Sequence, residues 1–168
     1  MRDLMSNLPK WIKVLPTLAG LLLVGGSLFA EKPMGPPALA DIRIGIGEEE
    51  FVRYVQDKYD TKLRIDDNGY KYTCSLPDPM GFLRAEVFQG KVFRIELSTE
   101  IDHKILRESI EMKYGKRSTV KNDHHYWIIA EGRYRLTLHN DSVTLENLEI
   151  WTGIQEKSAT DILGDLEP

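Results

Sequence analysis

The apolar run from Trp11 to Ala30 constrains this chain most, because it separates residues that face opposite sides of a membrane. Three basic residues, Arg2, Lys10 and Lys13, lie before it or at its start, against one acidic residue there. Positive charge ahead of an uncharged run is typical of a secretory signal, whose N-terminus stays in the cytoplasm while the remainder is exported. The sequence therefore predicts that the residues after the run lie in the periplasm.

The run can be removed as a signal peptide or kept as an inner-membrane anchor. Its uncharged part, Val14 to Phe29, is shorter than the roughly 20 apolar residues that cross a bilayer comfortably. Cleavage is therefore predicted, after Ala30 or after Ala40. The segment Ala38-Leu39-Ala40 fits the A-x-A rule better, although it lies far from the apolar run. An uncleaved chain would contact the membrane through residues 11–30 only.

The exported part is acidic and has the size of one domain. Removing residues 1–40 takes away four of the 22 basic and two of the 26 acidic residues, which leaves 18 against 24. Such a balance argues against a nucleic-acid partner, since binding phosphates requires a basic face. The remaining residues, 41–168, are enough to bury a core. The single cysteine, Cys74, is predicted to be a small buried hydrophobe, with a disulfide to a partner protein as the alternative.

Residues 31–40 are rich in proline and are predicted to be a spacer ahead of one domain at residues 41–153. In its first half, residues 41–98, alternating isoleucines from Ile42 to Ile46 predict a short strand. A helix follows to about Tyr59, and Glu48 to Glu50 in its first turn suit the positive end of the helix dipole. Its apolar stripe consists of Phe51, Val52, Val55 and Tyr59.

Short strands are predicted next at Lys62 to Ile65 and Tyr70 to Leu76, and a hairpin at Leu83 to Val87 and Val92 to Leu97. A three-residue loop at Gln89-Gly90-Lys91 separates apolar from charged pairs, whereas a two-residue loop mixes them. The predicted apolar pairs are Leu83 with Leu97, Ala85 with Ile95, and Val87 with Phe93, all buried beneath the helix. The charged pairs on the other face are Arg84 with Glu96 and Glu86 with Arg94.

The second half, residues 101–151, repeats this plan. A helix is predicted from Ile101 to Tyr114, with Ile105, Leu106, Ile110 and Met112 on one side. Strands are predicted at His124 to Ala130, Arg133 to His139 and Ser142 to Trp151, the last with a bulge near Asn147. The polar tail, residues 154–168, is predicted to contain one short helix that ends at Gly164. The fold class is therefore α+β, with two helix-plus-antiparallel-meander units and helices on one face of the sheet.

The second hairpin carries the candidate binding residues. Its turn at Glu131-Gly132 predicts one apolar face that contains Trp127, with His125 partly buried beside it. The opposite face holds Tyr126, Ile128 and Arg135, and an aromatic beside an arginine suits an interface. We therefore predict these three as a partner-binding patch, and expect alanine at both Tyr126 and Arg135 to leave stability nearly unchanged.

Two segments resemble a known family. The run Ile42-Arg43-Ile44-Gly45-Ile46-Gly47-Glu48-Glu49-Glu50-Phe51, followed by Tyr70-Lys71-Tyr72 and Phe88-Gln89-Gly90-Lys91-Val92, is similar to the opening of the SmpA/OmlA family. These are small outer-membrane-assembly lipoproteins whose fold is shared by β-lactamase inhibitor proteins. The chain differs in having no cysteine for a lipid and in having Gly47 where the family has Ser or Thr. The resemblance implies helices on an antiparallel sheet, export, and action by binding other proteins.

Catalytic motifs are absent from the sequence: it has no phosphate loop, no H-E-x-x-H, no cysteine pair and no G-x-S-x-G. His124 and His125 are adjacent on a strand and point to opposite faces, so they cannot chelate one ion together. The sequence thus predicts a non-enzymatic interaction or assembly module of the bacterial cell envelope, with no cofactor or metal and with another envelope protein as its partner. The alternatives are a carrier of a small apolar ligand and a metal-dependent or acid/base hydrolase using His124, His139 and Asp123 or Asp141.

Overall fold

The computed structural model describes residues 36–66 and 68–164, and the side chains up to residue 156. The predicted signal, residues 1–30, and most of the spacer lie outside the described residues. The elements in chain order are β1 (Ala38–Leu39), β2 (Ile42–Arg43), α1 (Glu48–Tyr59), β3 (Arg64–Ile65), β4 (Lys71–Ser75), β5 (Phe82–Phe88), β6 (Lys91–Ser98), α2 (His103–Tyr114), β7 (Thr119–Lys121), β8 (His124–Ile129), β9 (Tyr134–His139), β10 (Ser142–Asn147) and α3 (Leu148–Gly164).

Eight strands form one antiparallel sheet in the order β3-β4-β5-β6-β10-β9-β8-β7. The last strands of the two halves, β6 and β10, pair with each other, so two four-stranded meanders join into a continuous sheet. Strand β7 was not predicted, because its three residues are exposed and show no apolar alternation. The predicted α+β class, with two helix-plus-meander units, is confirmed.

Helices α1 and α2 cover one face of the sheet, as predicted. Helix α1 buries Phe51, Val55 and Tyr59, which recur every four residues and so share one side. Helix α2 begins at Asp102, whose carboxylate accepts a hydrogen bond from the backbone N–H of Lys104 at 2.8 Å. It buries Leu106 and Ile110, whereas Ile105 and Met112, which were predicted on the same side of the helix, are exposed.

The N-terminal hairpin of β1 and β2 packs against both helices. Leu39 and Ala40 are buried, and the Tyr59 hydroxyl donates a hydrogen bond to the Ala40 carbonyl at 3.0 Å. Lys58 Nζ lies 2.5 Å from the Asp41 carboxylate. The predicted spacer is therefore wrong for residues 38–40, which belong to the folded domain. The predicted strand to Ile46 is also too long, since β2 ends at Arg43.

The first hairpin has the predicted register over most of its length. Leu83 pairs with Leu97 and Ala85 with Ile95, with the predicted charged pairs on the other face. A bulge between Glu86 and Val87 then shifts the pairing by one residue. Val87 consequently faces Val92, the loop shortens to Gln89-Gly90, and the predicted pairing of Val87 with Phe93 is wrong.

The bulge changes where Phe93 lies. Val92 takes the predicted place in the core beneath α1 and is fully buried. The Phe93 side chain is also buried, but its ring stacks on that of Trp151, with centroids 6.2 Å apart. The extra residue at a bulge re-aims the side chains beside it. Phe93 therefore joins the sheet to α3 rather than to α1.

The last strand ends earlier than predicted. Strand β10 stops at Asn147, and α3 runs without interruption from Leu148 to Gly164, so the predicted strand to Trp151, its bulge and the separate short helix are all wrong. The Asn147 side-chain oxygen accepts hydrogen bonds from the backbone N–H groups of Glu149 and Ile150, at 3.0 and 3.1 Å. The change of apolar phase at Asn147 thus marks a helix N-cap.

The second hairpin has the predicted register throughout, from His125 with Leu138 to Ile129 with Tyr134. Trp127 lies in the core and donates its indole N–H to the Gly115 carbonyl at 3.0 Å, which ties β8 to the end of α2. Cys74 is buried, and burial raises the pKa of its thiol to about 11, so it is a hydrophobic core residue as predicted. No helix in the described part of the chain is long and apolar enough to cross a membrane.

Candidate partner-binding surface

The face of the sheet opposite α1 and α2, here called the outer face, consists of three rows of cross-strand neighbours. The middle row contains Arg64, Thr73, Arg84, Glu96, Thr144, Thr137, Tyr126 and Thr119. The charged row contains Lys71, Glu86, Arg94, Glu146, Arg135 and Ile128. The histidine row contains Ser75, Phe82, Ser98, Ser142, His139, His124 and Lys121.

The outer face is positively charged although the whole chain is acidic. Its three rows carry three carboxylates, whereas the formal net charge of the chain is −4. Against them stand twice as many basic side chains, namely Arg64, Lys71, Arg84, Arg94, Lys121 and Arg135. The sheet therefore separates a basic outer face from an acidic remainder, which favours approach by an acidic partner.

Charges alternate in sign along the charged row, across five neighbouring strands from Lys71 to Arg135. The best-formed pair in this row joins Arg135 Nε to Glu146 Oε1 at 2.7 Å, and Glu146 is only 4% exposed. A buried carboxylate is tolerated when it is paired and hydrogen-bonded. Arg135 thus supplies the positive charge that the buried Glu146 carboxylate requires. The Arg135 guanidinium also lies over the Tyr126 ring, 5.9 Å from the centroid.

Arg94, in the same row, is incompletely paired. Its terminal nitrogen lies 3.7 Å from the Glu86 carboxylate, too far for a hydrogen bond. Its Nε is buried and has no hydrogen-bond partner among the residues that the structure describes. The guanidinium lies over the Trp151 ring, 5.7 Å from the centroid. Trp151 is in turn held by Phe93 beneath it.

An open groove of about 380 Å³ runs over the outer face where the two halves of the sheet meet. It is floored by strands β6, β10, β9 and β8 and walled on one side by the first turn of α3. Its lining comprises Arg94, Glu96, His124, Tyr126, Arg135, Thr137, His139, Ser142, Thr144, Glu146 and Trp151. Aromatic rings and arginines thus surround a polar floor, a composition typical of interface anchor points.

The structure places the predicted patch on the predicted face. Tyr126 and Arg135 touch each other and line the groove. Ile128 pairs with Arg135 in the sheet and is 47% exposed, but it lies beside the groove rather than in it. The structure changes the expectation for Arg135: alanine there should lower stability, because it leaves the buried Glu146 carboxylate without its cation.

The four histidines form two ring pairs on opposite faces of β8. On the outer face, His124 and His139 stack with centroids 3.8 Å apart, and His124 Nδ1 lies 2.8 Å from the Asn122 carbonyl. On the helix side, His125 packs edge-on against His103 at 5.2 Å. Burial and the nearby Arg117, His103 and Arg107 lower the pKa of His125.

The described residues contain no group of three His, Cys, Asp or Glu side chains that could hold a metal ion. The imidazoles of His124 and His139 stack face to face, so their nitrogens lie side by side rather than converging on one point. Asp123 and Asp141, the predicted carboxylate partners of a hydrolytic site, form no such cluster with them.

Three groove residues were missed in the sequence. Arg94 was placed on the correct face by the hairpin register, yet nothing in the sequence distinguished it from Arg84. Glu146 meets Arg135 through the local β9 and β10 hairpin, but its place beside Arg94 depends on the pairing of β10 with β6, which joins distant segments. For Trp151 the sequence predicts a strand, whereas the structure has a helix. The N-cap pattern Asn147 followed by an apolar helical stripe was the signal that could have located it.

Comparisons of this chain with models of protein families, with curated proteins and with solved structures find no match. The resemblance to the SmpA/OmlA family therefore stays a prediction.

Proposed function

We propose that this protein is a non-enzymatic interaction or assembly module of the bacterial cell envelope that binds another envelope protein through the outer face. The outer face itself carries the proposal. It is a broad polar sheet surface, positively charged on an acidic chain, with a groove lined by Tyr126, Trp151 and two arginines. Aromatic and arginine side chains supply most of the binding energy in protein interfaces.

The carrier alternative has less support. The apolar cavity between the helices and the sheet measures about 40 Å³ in the described part of the chain. Small-molecule sites usually enclose about 300 to 1,000 Å³. The core is otherwise filled by side chains from both halves, which favours a rigid scaffold for binding.

Export and periplasmic location rest on the sequence alone. The basic residues ahead of the apolar run give the layout of a secretory signal. A basic outer face also suits the envelope, where it can select acidic partners by charge.

Site-specific photocrosslinking in cells tests the proposal. A photoreactive amino acid is placed at Ile128 or Thr144 on the outer face, and, as matched controls, at Gln56 and Met112 on the exposed sides of α1 and α2. We expect both outer-face positions to crosslink to the same envelope protein and the helix-side positions to give none of that product.

The captured protein is then purified and tested for direct binding. Alanine at Tyr126 and Ile128 should weaken binding about 10-fold or more, as interface anchors do, while Arg135 is kept so that Glu146 stays paired. Crosslinking from the helix side alone would contradict the proposed surface. Equal crosslinking of all four positions would contradict a specific interface.

A further inference from the structure

We infer that the groove binds an acidic, extended segment of the partner protein, and that Arg94, stacked on Trp151, is the residue that holds its carboxylate. The inference rests on the proposed function and adds the chemistry of the ligand.

The first argument is the unsatisfied bonding of Arg94. A guanidinium has five N–H donors, and a buried donor without a partner is costly. The Nε of Arg94 is such a donor among the described residues, and the Glu86 contact at 3.7 Å does not satisfy the terminal nitrogens. A carboxylate that enters the groove would supply acceptors to the terminal nitrogens, in the fork geometry that arginine prefers.

The second argument is that Arg94 is already held in place. Its guanidinium lies over the Trp151 ring, and the Trp151 ring stacks on the buried Phe93. Stacking on an aromatic face leaves the edge of a guanidinium available for hydrogen bonds. Because the side chain is pre-ordered, binding costs less conformational entropy than binding by a free surface arginine.

The third argument is that neighbouring carboxylates do not compete. Glu146, next to Arg94 in the charged row, is engaged by Arg135 at 2.7 Å. Glu96, in the middle row, lies 3.3 Å from Arg84. Neither glutamate is therefore free to pair with Arg94, and the net charge around Arg94 stays positive.

The outer face favours a peptide over a membrane surface. Charge alone does not separate the two, because an anionic bilayer would also be attracted by the net positive outer face. Its exposed apolar side chains, Phe82 and Ile128, lie on strands near opposite ends of the sheet and cannot insert together. An acidic segment, in contrast, can follow the groove and place single carboxylates between the existing pairs.

Fluorescence anisotropy of the full chain, purified in mild detergent, tests the inference. The probe is a labelled oligoglutamate peptide, with oligoglutamine and oligolysine of equal length as controls. We expect binding of oligoglutamate only, weakened by added salt. The Arg94→Gln variant should bind about 10-fold to 100-fold more weakly, the range expected for a charge-assisted hydrogen bond.

Arg64→Gln is the matched control, because it removes the same charge from the same face outside the groove lining and leaves the ion pair of Arg84 with Glu96 intact. It should weaken binding by less than about threefold, as an exposed charge does. Arg94→Lys keeps the charge but loses the planar contact with Trp151, and should give an intermediate affinity. Urea unfolding of each variant shows that it is folded.

Four results would overturn the inference. Equal losses for Arg94→Gln and Arg64→Gln would mean that the face acts by overall charge and not through the groove. Wild-type affinity in Arg94→Lys would show that the stacked guanidinium is irrelevant. Binding to vesicles of anionic phospholipid, lost in Arg94→Gln, without binding of oligoglutamate would assign the groove to lipid. If oligoglutamate does not bind while the outer face still crosslinks to one envelope protein, the acidic nature of the ligand is refuted and the proposed function stands.

Discussion

At the scale of single residues, Phe93 decides how the predicted core differs from the observed one. Strict alternation along β6 predicts Phe93 beneath α1, and the pairs from Leu83 to Glu86 follow that alternation. One extra residue at the bulge places Val92 in the core instead and sends Phe93 to Trp151. A bulge depends on the local hydrogen bonding of two strands, so periodicity in a single strand cannot reveal it.

Replacing Phe93 by alanine should therefore damage two properties. We expect a loss of about 3 to 5 kcal/mol in the free energy of unfolding, the usual range for a buried phenylalanine. Trp151 also loses its support, so partner capture should weaken even where the variant is fully folded. Urea titration and direct binding measure the two effects.

The neighbouring Val92→Ala variant is the control. It shortens a core side chain and should lower the free energy of unfolding by about 1.5 to 3 kcal/mol, yet leave partner capture unchanged. If Val92→Ala weakened capture as much as Phe93→Ala, the assignment of Phe93 to the groove would be wrong.

His125 should make stability depend on pH. Its pKa is lowered by burial, and further by Arg117, His103 and Arg107, with Glu111 opposing them. The unfolded chain, with a pKa near 6.5, thus takes up the proton more readily than the folded chain. Stability should be full above about pH 7 and fall as the pH drops through 6.5 towards the lowered value.

Urea unfolding of the full chain between about pH 8 and pH 5 measures this dependence. The His125→Gln variant should give a flatter profile, and His139→Gln, on the other face, should keep the wild-type slope. A wild-type slope in His125→Gln would rule out His125 as the group responsible.

At the scale of elements, the sequence predicted what local periodicity determines and missed what distant pairing determines. Helices α1 and α2 and the second hairpin follow from spacing and turn residues. The order of the sheet, in which β6 meets β10, joins segments about 50 residues apart in the sequence, so no local pattern contained it. The same holds for the groove, because that junction places Arg94 beside Glu146 and Arg135, which the local hairpin of β9 and β10 already pairs.

The start of α3 is the element on which the groove depends. Asn147 caps its first turn, and Trp151 is one turn further along. Asn147→Ala should lower the free energy of unfolding by about 0.5 to 2 kcal/mol, because the helix cap is lost. It should also weaken partner capture by shifting Trp151. Asn147→Asp, which keeps an acceptor at the cap, should retain both properties. Thermal unfolding and binding of the captured partner report the outcome, and full capture by Asn147→Ala would mean that the cap does not position Trp151.

At the scale of the whole molecule, the two halves contribute unequally to the binding surface. Each half supplies one helix and one four-stranded meander, and the two meanders share the β6 and β10 junction. Only the second half continues into α3, which adds an aromatic wall to the groove. The architecture is therefore nearly repeated, while the candidate site lies at the junction and on the side of the second half.

The N-terminal hairpin bears on processing of the whole chain. A cut after Ala40, the better sequence match, would remove the buried Leu39 and the carbonyl that accepts the Tyr59 hydrogen bond. Burial of a leucine contributes about 1.5 to 3 kcal/mol, and a hydrogen bond about 0.5 to 1.5 kcal/mol. A mature protein that begins at Asp41 would lose both contributions, whereas one that begins at Glu31 keeps the hairpin intact.

We therefore predict cleavage after Ala30, and N-terminal sequencing of the exported protein should find Glu31 first. Thermal unfolding compares a protein that begins at Glu31 with one that begins at Asp41. The longer protein should unfold at the higher temperature, because it retains β1. Recovery of Asp41 as the natural N-terminus would contradict the prediction. Recovery of Met1 in the membrane fraction would show instead that residues 11–30 stay as an anchor, which keeps the hairpin but places the domain at the membrane surface.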